Sequence, residues 1–417
     1  MRKRLLTAVA VVVVLSLTFG TVSLAQNPPE KVFKLGVVAD ITGVAARTGI
    51  EQKNAIQMYF DEIGNKIGDY KIELVWVDTQ ADADKAARAY EEAIVRDKIQ
   101  AGLNNFYSSV AIVCMDIAAK YKIPHFTGSA ESKTIWDKVR SNPDKYGYWL
   151  GKTWPIPEHL VAPAYLEALN EVVKPENRTI AVLSDDGEGP SAVRAAVGEA
   201  FTAGGWKVVA DEFFGMQETE FYPLISKLKS LNPAAVFIVT TGAPNIAAFV
   251  KQSRELGLPS FLIAHGLGWI GEWYSLTGDA SDYVLDEIPQ WTTPKAKDFV
   301  KRYKERFNQD PSASSAGLAY DYAGIFNQVA KRAIEKYGEL TSDTLYKVGR
   351  EELWPGKLTY KDGILMKEYK YTDATYPDAV VGKDNFIFPV IQYFTGTGKI
   401  VWPGEWADAK ILPPPTK

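Results

Sequence analysis

The sequence predicts an α/β protein of two lobes, each a parallel β-sheet covered by helices on both faces. Three observations carry this. Short apolar runs alternate with amphipathic helical stretches, the alternation runs its course and restarts near Thr179, and both runs open on an apolar strand that ends in aspartate before a small-residue loop. The two openings read Val37-Val38-Ala39-Asp40 and Val182-Leu183-Ser184-Asp185. So long a period argues for two similar lobes and against a stacked solenoid.

In the first run, residues 33–39 form an apolar strand, and Ile56, Tyr59, Phe60 and Ile63 recur at helical spacing behind it. Residues 72–77 predict the next strand, and Ala86, Tyr90, Ala93 and Ile94 the next helix. Residues 101–106 lead into a helix with Val110, Val113, Cys114, Ile117 and Tyr121 on one face, and 123–127 make a fourth strand. In the second run, strands at 179–184, 208–213, 235–239 and 260–264 alternate with helices marked by Val193, Val197 and Phe201, by Leu224, Ile225 and Leu228, and by Ile246, Phe249 and Val250. Residues 146–157, rich in aromatics and proline and without period, suit a crossing between lobes. The last third predicts helices through Phe299, Val300 and Tyr303 and through Ile325, Phe326 and Val329, short strands near 357–360 and 386–394, and a polar surface insertion at 367–384.

The first residues set the compartment. Arg2, Lys3 and Arg4 precede an apolar run at 5–19, and Ser23 and Ala25 stand at −3 and −1 of a cut before Gln26. The run is shorter than the ~20 residues a spanning helix needs, so residues 1–25 read as a signal peptide cleaved near Ala25, with export to a periplasm. The remaining chain of roughly 390 residues exceeds one ordinary core. Of the 47 lysines and arginines, three lie in the leader, leaving 44 against 51 Asp and Glu. That mild acidity gives no footprint for nucleic acid or anionic lipid. Cys114 is the single cysteine, on an apolar helical stripe, so it reads as a buried small hydrophobe, with no disulfide and no lipid anchor.

Motifs for catalysis fall short. Gly266-Leu267-Gly268-Trp269-Ile270-Gly271 matches G-x-G-x-x-G with Asp286 and Glu287 downstream, but Gly278 interrupts the unit and Trp269 and Trp273 would crowd a pyrophosphate. Gly147-Tyr148-Trp149-Leu150-Gly151-Lys152-Thr153 has three residues between its glycines where a phosphate loop needs four. G-x-S-x-G is absent, and His125, His159 and His265 lack metal-ligand spacing, so each reads as a packed or surface imidazole. Asp185, Asp186 and Glu188 precede a helix start, where the dipole favours acids anyway. No catalytic residue, metal or cofactor is expected. What remains is polar and aromatic residues at strand carboxyl ends: Phe106-Tyr107-Ser108-Ser109 opening the third helix, and Thr127-Gly128-Ser129-Ala130-Glu131-Ser132 after the fourth strand. Ser109 and Ser132 also suit ordinary N-caps.

These loops, the Val38-Ala39-Asp40-Ile41-Thr42-Gly43 opening and the phrases Glu220-Phe221-Tyr222-Pro223-Leu224 and Asn232-Pro233-Ala234-Ala235-Val236-Phe237 carry a resemblance. From about Val32 to Trp406, the chain resembles the leucine/isoleucine/valine-binding (branched-chain amino acid) group of periplasmic solute-binding proteins of ABC transporters. The resemblance implies a type I periplasmic binding protein, two Rossmann-like lobes joined by three crossing segments near Trp154, Pro289 and Asp384. Lobe 1 would hold 26–153 and 288–383, and lobe 2 would hold 154–287 and 384–417. It implies a non-enzymatic, monomeric receptor that captures an amino acid or related small polar solute by hinge closure and presents it to an inner-membrane ABC permease; a ligand sensor without transport, or an exported enzyme, are the alternatives. The ligand residues it implies are Phe106, Tyr107, Ser108, Ser129, Ala130 and Glu131 from lobe 1, with Trp154, Glu188 and Thr241 by placement from the other side. Glu131 stands where amino-acid binders usually carry a hydroxyl, and His265-Gly266-Leu267-Gly268 lacks the acid that meets an ammonium group. An ionised Glu131 would repel the carboxylate of leucine, isoleucine or valine, so a cationic, amide or aromatic solute is expected.

Overall fold

Two separate sheets organise the chain in the computed structural model, which describes residues 30–414 apart from 127, 153, 241, 270–272 and 292. The leader lies outside the described residues. The first sheet holds β1 (Lys31–Ala39), β2 (Lys66–Ile67), β3 (Tyr70–Asp78), β4 (Ala101–Leu103) and β5 (His125–Phe126) in the order β2-β3-β1-β4-β5. The second holds β6 (Thr179–Asp185), β7 (Lys207–Phe214), β8 (Ala235–Val239), β9 (Phe261–His265), β10 (Leu285–Glu287), β11 (Val390–Phe394) and β12 (Thr397–Trp402) in the order β12-β11-β10-β9-β8-β6-β7. Both show the same winding: the first strand sits between the next two parallel strands, β1 between β3 and β4 and β6 between β7 and β8, which places a topological switch point beside β1 and beside β6.

Burial explains why these residues form strands. Phe33, Leu35, Val37 and Val38 of β1 and all of β8 are shut away from water, as strands covered on both faces must be. The helices follow their apolar stripes, and Cys114 sits fully buried in the Ser108–Tyr121 helix, its thiol pushed far up by desolvation. Among the described residues no helix is long and apolar enough to cross a membrane.

Several elements differ from expectation. The second sheet is mixed, because β10, β11 and β12 pair antiparallel, and the two-residue β2 pairs antiparallel with β3. The short β2 and β10 have too few residues to show a period. The strand expected at 101–106 stops at Leu103, because Asn104 turns into the left-handed region (φ 67°) and its amide donates to the Val38 carbonyl at 2.9 Å. The strand expected at 123–127 shortens to His125–Phe126, and 357–360 contributes only the Tyr360–Tyr369 bridge. The strand at 386–394 begins at Val390. Residues 367–384 lack regular structure, yet they are no surface insertion: Tyr369, Tyr371 and Tyr376 are fully buried. Their inward aromatics are irregularly spaced, so periodicity conceals them.

That segment packs on the first crossing. Lys152 pairs with Asp378 in a parallel bridge and their side chains meet at 3.0 Å, both shut from water. Asp378 also accepts from the Ile156 amide at 2.8 Å. Gly151 makes the approach feasible: at φ 80° its missing Cβ would stand 2.9 Å from the Tyr371 hydroxyl. Replacing Lys152 by alanine leaves an uncompensated carboxylate in the interior and is expected to cost ~3–5 kcal/mol in urea unfolding, whereas removing the exposed Lys133–Asp137 pair should leave the midpoint unchanged.

Candidate functional site

The loops after the strands' carboxyl ends converge between the two sheets on a cavity of about 270 Å³. Ala81 follows β3, Phe106 to Ser109 follow β4, and Ser129 and Glu131 follow β5; across from them, Gly187 to Pro190 follow β6, Met216 follows β7 and Trp269 follows β9. Trp154 enters from the first crossing. This is where open α/β sheets place ligands.

The loops are held alike in both halves. Asp40, directly after β1, accepts from the Thr79 hydroxyl and, at 3.2 Å, from the Ala81 amide. Asp185, ending β6, accepts from the Thr240 hydroxyl at 2.7 Å and the Gly187 amide at 2.8 Å. The aspartates repeated in the sequence are thus loop anchors. Asp185 and Glu188 serve different partners and Asp186 is exposed, so they form no cluster.

Two helices open into the cavity without a side-chain cap, Ser108–Tyr121 after Tyr107 and Glu188–Ala203 after Gly187. Their first residues, Ser108 and Ser109 on one side and Glu188 to Pro190 on the other, line the cavity. Glu188 reaches across the cleft: one carboxylate oxygen accepts from the Ser132 hydroxyl and, at 2.9 Å, from that of Thr134, and the other is buried without a partner. Ser132 meanwhile caps the Lys133–Ser141 helix. On the far side, the hydroxyls of Ser312 and Ser315 donate to the Trp269 carbonyl, the second at 2.9 Å. Gly189 lies so near the opposite wall that a Cβ there would stand 3.1 Å from the Ser108 hydroxyl.

Of the residues expected at the ligand, Phe106, Tyr107, Ser108, Ser129, Glu131, Trp154 and Glu188 line this cavity. Ala130 is buried outside its wall, and Thr241 lies outside the described residues. Trp269 was legible in the sequence only as an obstacle to a dinucleotide; it forms a wall of the cavity. Its ring stands perpendicular to those of Phe106, 6.1 Å away, and Trp154, 6.0 Å away.

Glu131 is 6% exposed and its Oε2 has no hydrogen-bond partner. Burial raises its pKa to about 8 against the pull of Lys152 and the Trp154 indole. The carboxyl is therefore protonated at neutral pH, which removes the charge expected to repel a ligand carboxylate. Glu287, which couples to Glu131, is fully buried with both oxygens unpartnered, and desolvation raises its pKa well above the usual carboxylate range.

The remaining motifs resolve into packing. The Gly266 and Gly268 amides each donate at 2.8 Å to Asp286, which also accepts from Tyr393, so these two glycine amides are already engaged. His125 bonds Tyr90 and His265 bonds Tyr165, each at 2.9 Å, and burial lowers both imidazoles to about 3. His159 is half exposed.

Two sheets of this winding around such a cleft define a periplasmic binding protein fold. Residues 32–363 match the periplasmic binding protein family, and the chain belongs to it. It is similar to the Leu/Ile/Val-binding protein homolog 6 of Brucella melitensis, 28% identical over 55% of this chain and 56% of the relative, so the match spans about half the length of that curated relative. It is 27% identical, over 81% of this chain and 88% of the relative, to the leucine-, isoleucine-, valine-, threonine- and alanine-binding protein of Pseudomonas aeruginosa. Among solved structures it resembles an ABC-transporter solute-binding protein of Rhodopseudomonas palustris in complex with 3,4-dihydroxybenzoic acid, with a TM-score of 0.72, 22% identity and coverage of 88% and 95%.

Burial raises the Glu131 pKa from 4.5 to about 8, so between those values the folded form holds a proton the unfolded chain has lost, and stability falls as pH rises until about pH 8. Glu131→Gln should remove its share of that slope, while Asp40, Glu51, Asp286 and Asp321, also raised by burial, keep theirs, and it should leave the ligand-free protein more stable than the parent at pH 8 by on the order of 4 kcal/mol. Urea titrations of both proteins at pH 5 and pH 8 read the difference; equal stability at both would mean that Glu131 meets water.

Proposed function

We propose that the protein is the exported solute-binding component of an ABC importer: it captures a small polar organic solute between its lobes and presents the closed form to an inner-membrane permease, without chemistry. The observation that carries this reading is the cavity between the sheets, walled by aromatic rings and by polar atoms that have no protein partner. Such atoms are costly when buried and are met when a ligand arrives. Phe106, Tyr107, Ser108, Ser129, Glu131, Trp154 and Glu188 are its proposed ligand contacts, with Ala130 and Thr241 beside them. The relatives support a solute of amino-acid or aromatic-acid size, since one is named for leucine, isoleucine, valine, threonine and alanine and another holds 3,4-dihydroxybenzoic acid.

Capture is proposed to be a hinge motion, with rotation taken up where the chain crosses near Trp154, Pro289 and Asp384. The bonds of Glu188 to Ser132 and Thr134, and of Ser312 and Ser315 to Trp269, would be the contacts that closure makes. The protein is expected to work as a monomer after loss of residues 1–25.

Thermal-shift screening of a metabolite library, followed by recovery of each binder, tests this. A true ligand should return chemically unchanged, stabilise the protein by ~2.7 kcal/mol at a hundredfold excess over Kd, and compact its X-ray scattering profile. Turnover of a binder would refute the receptor reading, and an unchanged profile at saturation would refute closure.

A further inference from the structure

We propose that the solute carries a cationic group, an ammonium, amidinium or quaternary ammonium, seated against Glu131 and enclosed by the rings of Phe106, Trp154 and Trp269. This rests on the receptor reading above and names the chemistry of its ligand.

Among the described residues, the cavity wall carries two carboxyl groups, Glu131 and Glu188, and no lysine, arginine or histidine. Each of the two has an oxygen buried without a partner. Glu131 faces one cation, Lys152, but the Lys152 ammonium is engaged by Asp378 at 3.0 Å. Glu287, which couples to Glu131, also has both oxygens buried and unpartnered, so no protein cation meets this pair of carboxyls from behind the wall. A ligand cation supplies what the protein withholds.

The apolar part of the wall suits a cation as well. Trp269 meets both Phe106 and Trp154 at 88°, so three contacting rings share the wall of the cavity with Glu131. Ring quadrupoles attract cations most strongly when, as here, water is excluded: Trp154 is 2% and Trp269 is 8% exposed. A neutral isostere would gain the same apolar contact without that attraction.

Protonation gives the proposal a signature. A cation must displace the proton that burial holds on Glu131 below about pH 8. Binding then releases a proton, and affinity should rise about tenfold per pH unit from pH 6 to pH 8 and level off above.

The test uses matched probes on the full mature protein: benzamidine, benzamide and benzoate share a ring and differ in charge, and choline has the uncharged isostere 3,3-dimethylbutan-1-ol. Calorimetry at pH 6, 7, 8 and 9 should show each cation bound at least roughly thirtyfold more tightly than its neutral partner, with the stated pH slope. Glu131→Gln should abolish both the preference and the slope while circular dichroism stays unchanged. Preference for benzoate, with affinity falling above pH 8, would overturn the proposal: a protonated Glu131 would then donate to an acid held at the open helix ends, and the receptor reading would stand. Failure of every cation would overturn it too, and only turnover of bound solute would strike at the receptor reading itself.

Discussion

The buried ammonium of Lys152 is the point on which the cleft depends. Its Nζ meets Asp378 at 3.0 Å, and its backbone donates to the Pro377 carbonyl at 2.7 Å and accepts from the Ala379 amide. Next to it, the Tyr376 hydroxyl accepts from the Gly151 amide at 3.0 Å and donates to the Trp149 carbonyl. Trp149 in turn stacks on His125 at 4.1 Å, at the first sheet's edge. Two stretches more than two hundred residues apart are thereby knitted into one seam, and Trp154 emerges from that seam into the cavity. A buried ion pair of this kind is weak evidence of stability by itself, because desolvation offsets the attraction. Its effect is positional: without it the crossing has no fixed register against residues 376–379, and Trp154 has no fixed place in the wall.

The same ammonium explains the electrostatics of the site. Engaged by Asp378, it only partly offsets Glu131 and leaves Glu287 uncompensated. Both carboxyls answer by holding their protons. The fold therefore tolerates neutral acids in the cleft at a cost that grows with pH, which is the trade often found where binding groups are kept unpaired for a ligand.

Most of the fold was legible because the parallel strands are continuous apolar runs and their helices long enough to show a period. β8 coincides with the predicted run, and β1, β3, β6, β7 and β9 differ by a residue or two at their ends. What escaped is what periodicity cannot see: the two- and three-residue strands β2 and β10, and the aromatics of 369–376 that enter the core from an irregular chain. The site was half legible for a similar reason. Lobe 1 announced its loops through local phrases such as Phe106 to Ser109 and Ser129 to Glu131. The opposite wall depends on Trp269, Met216 and Gly189, residues separated in sequence and brought together by winding alone. Glu188 showed a further limit, since placement put it in the cleft but could not foretell that Ser132 and Thr134 would take one of its oxygens.

The two lobes share a frame and differ in what they present from it. In each, an aspartate at the end of the first strand ties down a neighbouring loop, Asp40 through Thr79 and Asp185 through Thr240, and in each a buried histidine is held by a helix tyrosine. These ties lie one layer behind the cavity and are indifferent to what occupies it. The wall itself is unsymmetrical: one lobe supplies Glu131, the hydroxyls of Ser108 and Ser129 and the ring of Phe106, and the other supplies a glycine-rich helix start and Trp269. Gly189 lies so close to Ser108 that a Cβ there would stand 3.1 Å from its hydroxyl, so a side chain at this position would press on the opposite wall. Ligand choice can therefore change through a few loop residues while the anchoring aspartates keep both loops in place.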